Sequence, residues 1–278
     1  MDFANKRPVS HGRIVAICLM LTARGAMAVG ELDWAAFNNG VFDRNHSIGT
    51  DVELITGPIV YHENNDGKFT EGYRPESSRE LSGARMRREV YDLPGVWGAA
   101  GVFSWTLERL EEAGFEPEFQ CEESICGDVA GWQLYLSDLA AGTRQGQHYV
   151  LARTSAEPGW STWAAAYVND IDGQPRLILD HVVPQASAWA DDQLLSDNSI
   201  HFPPGGWQTK DPALADLRRS VEQADVPQGS KLLILGNADS QGTLFMNLWL
   251  SGRRARAVRD RLTSGKGLSG RNPVIKPL

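Results

Sequence analysis

Asp239 and Arg254 are two opposite charges that a short stretch of chain can aim at one small ligand. Asp239 lies in the turn Gly236-Asn237-Ala238-Asp239-Ser240-Gln241-Gly242, and Arg254 lies on the segment that follows. A carboxylate takes an ammonium, and a guanidinium takes a carboxylate in a two-pronged contact. Together they can grip a zwitterion. Each residue also has a plainer role. An Asp in such a turn commonly caps the next helix or folds into an Asx turn, and a helical Arg is usually solvated.

The flanking residues predict the elements that would position this pair. Lys231–Leu235 is a brief apolar run closed by Gly236, the pattern of a buried strand. A helix is predicted from about Thr243 to Leu262, interrupted only by Gly252. Asn247, Ser251 and Arg254 then share one face of it, beside an apolar stripe of Leu248, Ala255, Val258 and Leu262. Upstream, Ile200–Phe202 is the expected first strand, and Asp211–Gln223 the first helix, with Asp211 as cap and Pro212 in its first turn. Leu214, Leu217 and Val221 give that helix its apolar side. Asn272–Leu278 is left for a third strand, which Pro273 and Pro277 make a poor one.

The string GNADSQGTLFMNLWLSGRRARAV resembles the signature of OmpA-like peptidoglycan-binding domains. In that family a Gly-His-Thr-Asp turn leads to Asn-x-x-Leu-Ser-x-x-Arg-Ala on a helix. Gly236, Asp239, Gly242, Asn247 and Leu250 fall in register, as do Ser251, Arg254, Ala255 and Val258. The resemblance implies a βαβαβ module over about residues 195–278. It also implies that Asp239 and Arg254 hold the zwitterionic end of diaminopimelate in the stem peptide of peptidoglycan, with Asn247 and the turn residues Asn237 and Ala238 beside them. The family's His and Thr are Asn237 and Ala238 here, so the turn lacks a ring and a hydroxyl.

The N-terminus predicts export. Lys6, Arg7 and Arg13 precede the apolar stretch Ile14–Ala23, and Ala26-Met27-Ala28 has the small-x-small pattern of a signal-peptidase site. Residues 1–28 therefore read as a signal peptide, and the stretch is too short to span a bilayer. Cys121 and Cys126 are the cysteines left after cleavage, and in the oxidising periplasm they are expected to pair. Zinc is the rival, but two Cys without a nearby His make a poor site; two buried thiols are the remaining alternative.

Charge divides the chain. Residues 231–278 carry nine Lys and Arg against two Asp, whereas residues 29–230 carry 14 against 32 Asp and Glu. The basic end could face an anionic polymer. The overall charge of −8 and the expected export argue against nucleic acid. Residues 29–184 read as an α+β domain, and 185–194 (within PQASAWADD and after) as a linker to the C-terminal module. Expected strands are Arg85–Leu93, Phe115–Cys121, His148–Ser155, Ser161–Val168 and Arg176–Val183. Expected helices are Gly101–Ala113, stopped by Gly114, and Gly131–Ala140. The segments REVYDLP, EEAGFEPEFQC and LILDHVVP make this region similar to an uncharacterised periplasmic domain found ahead of OmpA-like modules. That likeness implies architecture without chemistry. A transmembrane barrel would need eight alternating strands, which the charged helix LERLEEAG and the cysteine pair argue against.

Motifs for catalysis are missing: there is no G-x-S-x-G, no H-E-x-x-H, no Walker loop and no dinucleotide fingerprint. His148 and His181 fall in predicted strands and could approach one another, but a packed or exposed histidine is the commoner outcome. NNDG (64–67) and NDIDG (169–173) echo calcium loops but lack the later bidentate Glu, so they read better as hairpin turns. No cofactor or metal is expected. The expected function is non-catalytic peptidoglycan binding in the periplasm, with possible attachment to the outer membrane and a possible envelope partner for the first domain. The alternatives are an envelope enzyme with its catalytic groups in residues 29–184, and an OmpA-like interaction module without wall binding.

Overall fold

The structure is a computed structural model that describes residues 34–63, 71–136, 139–154, 161–184, 200–208, 211–223, 232–238, 242–264 and 274–277. It is α+β. The expected signal peptide and linker lie outside the described residues.

The frame is a six-stranded antiparallel sheet in the order β1-β4-β8-β7-β6-β5. Its strands are β1 (Val41–Ile55), β4 (Ser78–Asp92), β5 (Glu116–Glu122), β6 (His148–Arg153), β7 (Trp163–Ile171) and β8 (Gln174–Val183). β6 to β8 are buried along nearly their whole length, which explains their continuous apolar runs. The NDIDG segment is the β7–β8 hairpin turn, with Asp172 and Gly173 at φ 54° and 82°. There Asp170 Oδ1 accepts from the Gly173 N–H at 2.7 Å.

Helices cover one face. α1 (Trp34–Gly40) and α2 (Gly98–Ala113) lie there, and Phe37, Val102, Phe103 and Leu110 pack against Tyr91, Val150, Leu177 and Leu179. Gly114 ends α2 at φ 95°, donating to Glu111 O while Phe115 donates to Leu110 O. This paired arrangement needs a left-handed residue and explains the glycine. The opposite face carries α3 (Val129–Leu136) and the small hairpin of β2 (Ile59–His62) and β3 (Gly72–Pro75). Trp132 is fully buried between Tyr149 and Tyr167, and its Nε1 donates to Cys126 O at 3.0 Å. Cys121 and Cys126 are bonded and buried beside it.

The C-terminal segment supplies α4 (Asp211–Gln223), β9 (Leu233–Gly236), α5 (Leu244–Thr263) and β10 (Val274–Pro277). β10 pairs with β9 in parallel, so the third strand forms despite its prolines; Pro277 sits at its end on an edge, where a missing N–H is tolerated. The expected strand at Ile200–Phe202 does not form, and the βαβαβ order therefore lacks its first strand. Pro203 and Pro204 follow it directly, removing two donors and restricting Phe202. Ile200 and Phe202 instead pack as side chains on the α4–α5 cluster of Leu214, Val221, Val258 and Leu262. The first turns of α5 belong to the main core: Leu244, Phe245 and Leu248 share a cluster with α2 and the sheet.

Candidate functional site

α5 enters the sheet's core at Glu89, which is 0% exposed on β4. Glu89 Oε1 accepts from Arg44 Nε at 3.0 Å and Arg87 Nη2 at 2.7 Å. Its Oε2 accepts from the Tyr91 hydroxyl at 2.6 Å and the Leu244 backbone N–H at 2.7 Å. Burial alone would raise this carboxyl, but the hydrogen bonds from Tyr91, Leu244 and Arg87 outweigh it and hold it below its ordinary value. The Tyr91 oxygen in turn accepts from the Phe245 N–H at 3.2 Å, and burial followed by the Glu89 charge pushes its own proton affinity well up. Thr243 caps the next donor, accepting from Met246 N at 3.2 Å. The first three N–H groups of α5 are thus satisfied, two of them by β4.

The turn before α5 carries the residues singled out in the sequence. Asp239 lies outside the described residues. Arg254 points back from α5: its Nη1 donates to Asn237 O at 2.9 Å and its Nε to Gly206 O at 3.0 Å. Nη2 makes a longer contact with Pro203 O at 3.4 Å, and the guanidinium lies 5.3 Å from the Phe202 ring. The sequence gives no sign of this clasp, because its acceptors are main-chain carbonyls. Three of the five guanidinium N–H groups are spent on described carbonyls, which leaves one on each terminal nitrogen for an end-on contact with a carboxylate. Asn237 is exposed, Ala238 is half-buried, and Asn247 is buried at 8% exposure. Gly236 has no room for a side chain: a Cβ there would meet Ser251 O at 2.0 Å. Strand and helix pack backbone to backbone at this point, which gives the motif glycine its reason.

Asn237 and Asn247 face the sheet across a cavity of about 290 Å³. The sheet side is basic. Cross-strand register aligns His46 of β1, Arg87 of β4 and His181 of β8 in one row, with Arg85 and Val183 paired in the next. His46, Arg85, Arg87 and His181 all line the cavity, and Leu244 and Leu248 of α5 form its apolar wall. Arg87 also borders a second cavity with Arg44, Gly242 and Thr243. The basic row was hidden in the sequence because β1 shows no apolar alternation over Asp43–Ser47, and nothing in the chain order pairs it with β4 and β8.

The other candidates for chemistry stay apart. His148 opposes Val168 and stacks on Phe103 at 5.1 Å, whereas His181 opposes Ala164, so the two histidines sit at different levels of the sheet with β7 between them. The NNDG segment at 64–67 lies outside the described residues. Among the described residues, no group of three or more His, Cys, Asp or Glu converges as a metal site, and no helix is long and apolar enough to cross a membrane.

No family model matches the chain, and no curated protein matches it. Among solved structures it is similar to PA94, a protein of unknown function from Pseudomonas aeruginosa, at 9% identity and a TM-score of 0.21, over 63% of this chain and 100% of that one. So slight a likeness carries neither fold nor function.

Proposed function

We propose that this is a non-catalytic protein of the periplasm that binds the diaminopimelate-bearing stem peptide of peptidoglycan at the turn before α5. The observation that supports the reading is the contact of Arg254 Nη1 with Asn237 O at 2.9 Å. A guanidinium that touches Asn237, two residues before Asp239 in the chain, with N–H groups to spare, supports a contact with the carboxylate of a zwitterionic ligand. The OmpA-like register of Asp239, Asn247 and Arg254 is the second support. In this reading Asp239 takes the ammonium, Arg254 takes the carboxylate, and Asn247 is the third residue of the register.

Co-sedimentation with diaminopimelate-type sacculi tests it. The wild type is expected in the pellet, and Asp239→Asn and Arg254→Lys in the supernatant, since losing one partner of a desolvated charge contact costs roughly 2–5 kcal/mol. Arg254→Lys should weaken the clasp on Gly206 and Pro203 as well, so circular dichroism and thermal melts accompany each variant. Asp239→Asn replaces none of the groups in that clasp, and its melt is the control that separates binding from folding. A wild-type protein that stays in the supernatant, or Asp239→Asn protein that sediments as the wild type does, overturns the proposal.

A further inference from the structure

His148, the first residue of β6, is 6% exposed beneath α2. Its ring stacks on Phe103 at 5.1 Å with an interplanar angle of 25°. Phe103, with Ala99 and Val102, is the buried side of the first half of α2, and residues 98–107 carry no charge. Across the strand pair His148 opposes Glu122 of β5. Its Nδ1 stands 3.7 Å from Glu122 Oε2, outside hydrogen-bond range, and this buried nitrogen has no hydrogen-bond partner. The Glu122 side chain is 56% exposed, so packing does not fix its rotamer. Glu123, next in the chain, is the other carboxylate that acts on the ring. On the β7 side Val168 faces His148, and Asp170, two residues along, accepts from the Gly173 N–H.

The imidazole therefore has two places to rest. Neutral, it belongs against the phenyl ring. Charged, it is drawn to the carboxylate, where the missing hydrogen bond can form. Burial holds its proton affinity below the ordinary value of 6.5, with the Glu122 and Glu123 charges pulling the other way. The fold thus keeps the ring neutral. Its stabilisation is fully present above about pH 6.5 and is lost as the pH falls through the lower, folded value.

We propose that His148 is an acid-sensitive latch for the first half of α2. Neutral, it holds Phe103 against the sheet; protonated, it turns to Glu122 and that half of the helix loosens. The second half is fixed independently. Leu110 and Ala113 are buried, Trp249 Nε1 donates to Glu112 Oε2 at 2.6 Å, and a Cβ on Gly252 of α5 would stand only 2.2 Å from Ala113 O. Loosening is therefore confined to residues 98–107. The latch uses neither Asp239 nor Arg254, so it stands or falls apart from wall binding.

NMR of the full-length protein tests the proposal, through the imidazole titration of His148 and through amide exchange along α2 corrected for its intrinsic pH dependence. His148 is expected to titrate below 6.5. Between about pH 7.5 and about pH 5, the opening of residues 99–106 should rise roughly fivefold or more relative to residues 108–113. Glu122→Gln, on an exposed side chain, removes the carboxylate that favours the charged ring. It should lower the His148 midpoint and carry the loosening to lower pH with it. His148→Gln should abolish the acid dependence of α2 opening, with a melt at neutral pH as the check on folding; if that variant does not fold, Glu122→Gln decides the matter by itself. A His148 midpoint at or above 6.5, an α2 that opens evenly along its length, or Glu122→Gln protein with an unchanged opening profile would each overturn the latch. So would acid-dependent loosening that survives in folded His148→Gln protein.

Discussion

Replacing Glu89 with Gln should loosen the attachment of α5 to the sheet, and the structure sets the size of the effect. Gln keeps the shape of Glu but offers one acceptor oxygen where the carboxylate offers two, and its amide N–H₂ turns toward groups that are themselves donors. Arg44 and Arg87 are 58% and 34% exposed at the side chain, so they can turn to water at little cost. The Tyr91 hydroxyl and the Leu244 N–H cannot, because both are buried. One or both are left without a full partner, at about 1–3 kcal/mol each. Removing the charge from the burial site returns part of this. The net loss expected for Glu89→Gln is about 3 kcal/mol, within the range for breaking a buried ion pair and a large share of the 5–15 kcal/mol that holds typical domains together.

Urea unfolding of wild type and variant, followed by tryptophan fluorescence, measures that loss. The pH dependence gives an independent reading. Because the folded carboxyl titrates below its ordinary value of 4.5, its stabilisation is fully present above about pH 4.5 and is lost as the pH falls through the lower, folded value. The wild type should therefore lose stability on acidification by more than Glu89→Gln does, and the two curves should converge at low pH. A variant within about 0.5 kcal/mol of the wild type at neutral pH, or parallel acid profiles, would refute the reasoning that Glu89 anchors α5 as a carboxylate.

Two more outcomes follow from packing. The disulfide between Cys121 and Cys126 closes a short loop, so Cys121→Ser with Cys126→Ser should cost roughly 2 kcal/mol by the loop-entropy relation; denatured, unreduced protein should show neither Cys121 nor Cys126 labelled by a thiol reagent, and labelling of both in protein that was folded would contradict the pairing. Gly252→Ala should destabilise although alanine favours helices by about 1 kcal/mol, because its Cβ would stand 2.2 Å from Ala113 O where α5 crosses the end of α2, and a rise in melting temperature would show that the two helices can part freely.

Much of this architecture was legible in the sequence. The strands β6 to β8 and the helices α2, α4 and α5 carry their own periodicity and stops. Asp211–Gln223 is helical as its Asp-Pro start and Leu214, Leu217, Val221 spacing predict, and Gly114 ends α2 as expected. The β1 strand was not legible. It is an edge strand, mostly exposed, with Phe42 and Ile48 on the surface, and its polar residues Asp43–Ser47 make no apolar stripe. Its partner β4 enters with a similarly exposed first half, so the pairing is visible only in three dimensions. At Ile200–Phe202 the apolar residues were real but their role was misread: the prolines deny them a ladder, and they serve as packing on α4 and α5. At the candidate site, the sequence motif pointed to one wall, with Asn237 and Asn247. The facing wall comes from three strands that are far apart in the chain.

REVYDLP shows why the two halves of the sequence are better understood together. Read alone, it marks a strand of the first domain. In the structure its Glu89 and Tyr91 take the first two N–H groups of α5, 155 and 154 positions further on. The negative charge sits where a helix N-terminus favours it, so the contact gains from the helix dipole as well as from its hydrogen bonds. Three turns along the same helix, Arg254 fastens the Pro203–Gly206 loop and Asn237 to α5. The two described ends of the turn, Asn237 and Thr243, are thereby tied down, one to Arg254 and one at the start of a helix held by the sheet. Pre-ordered ends reduce the ordering that a ligand contact must supply. Loosening the Glu89 clasp should therefore weaken any ligand held at this turn, even though Glu89 itself touches none.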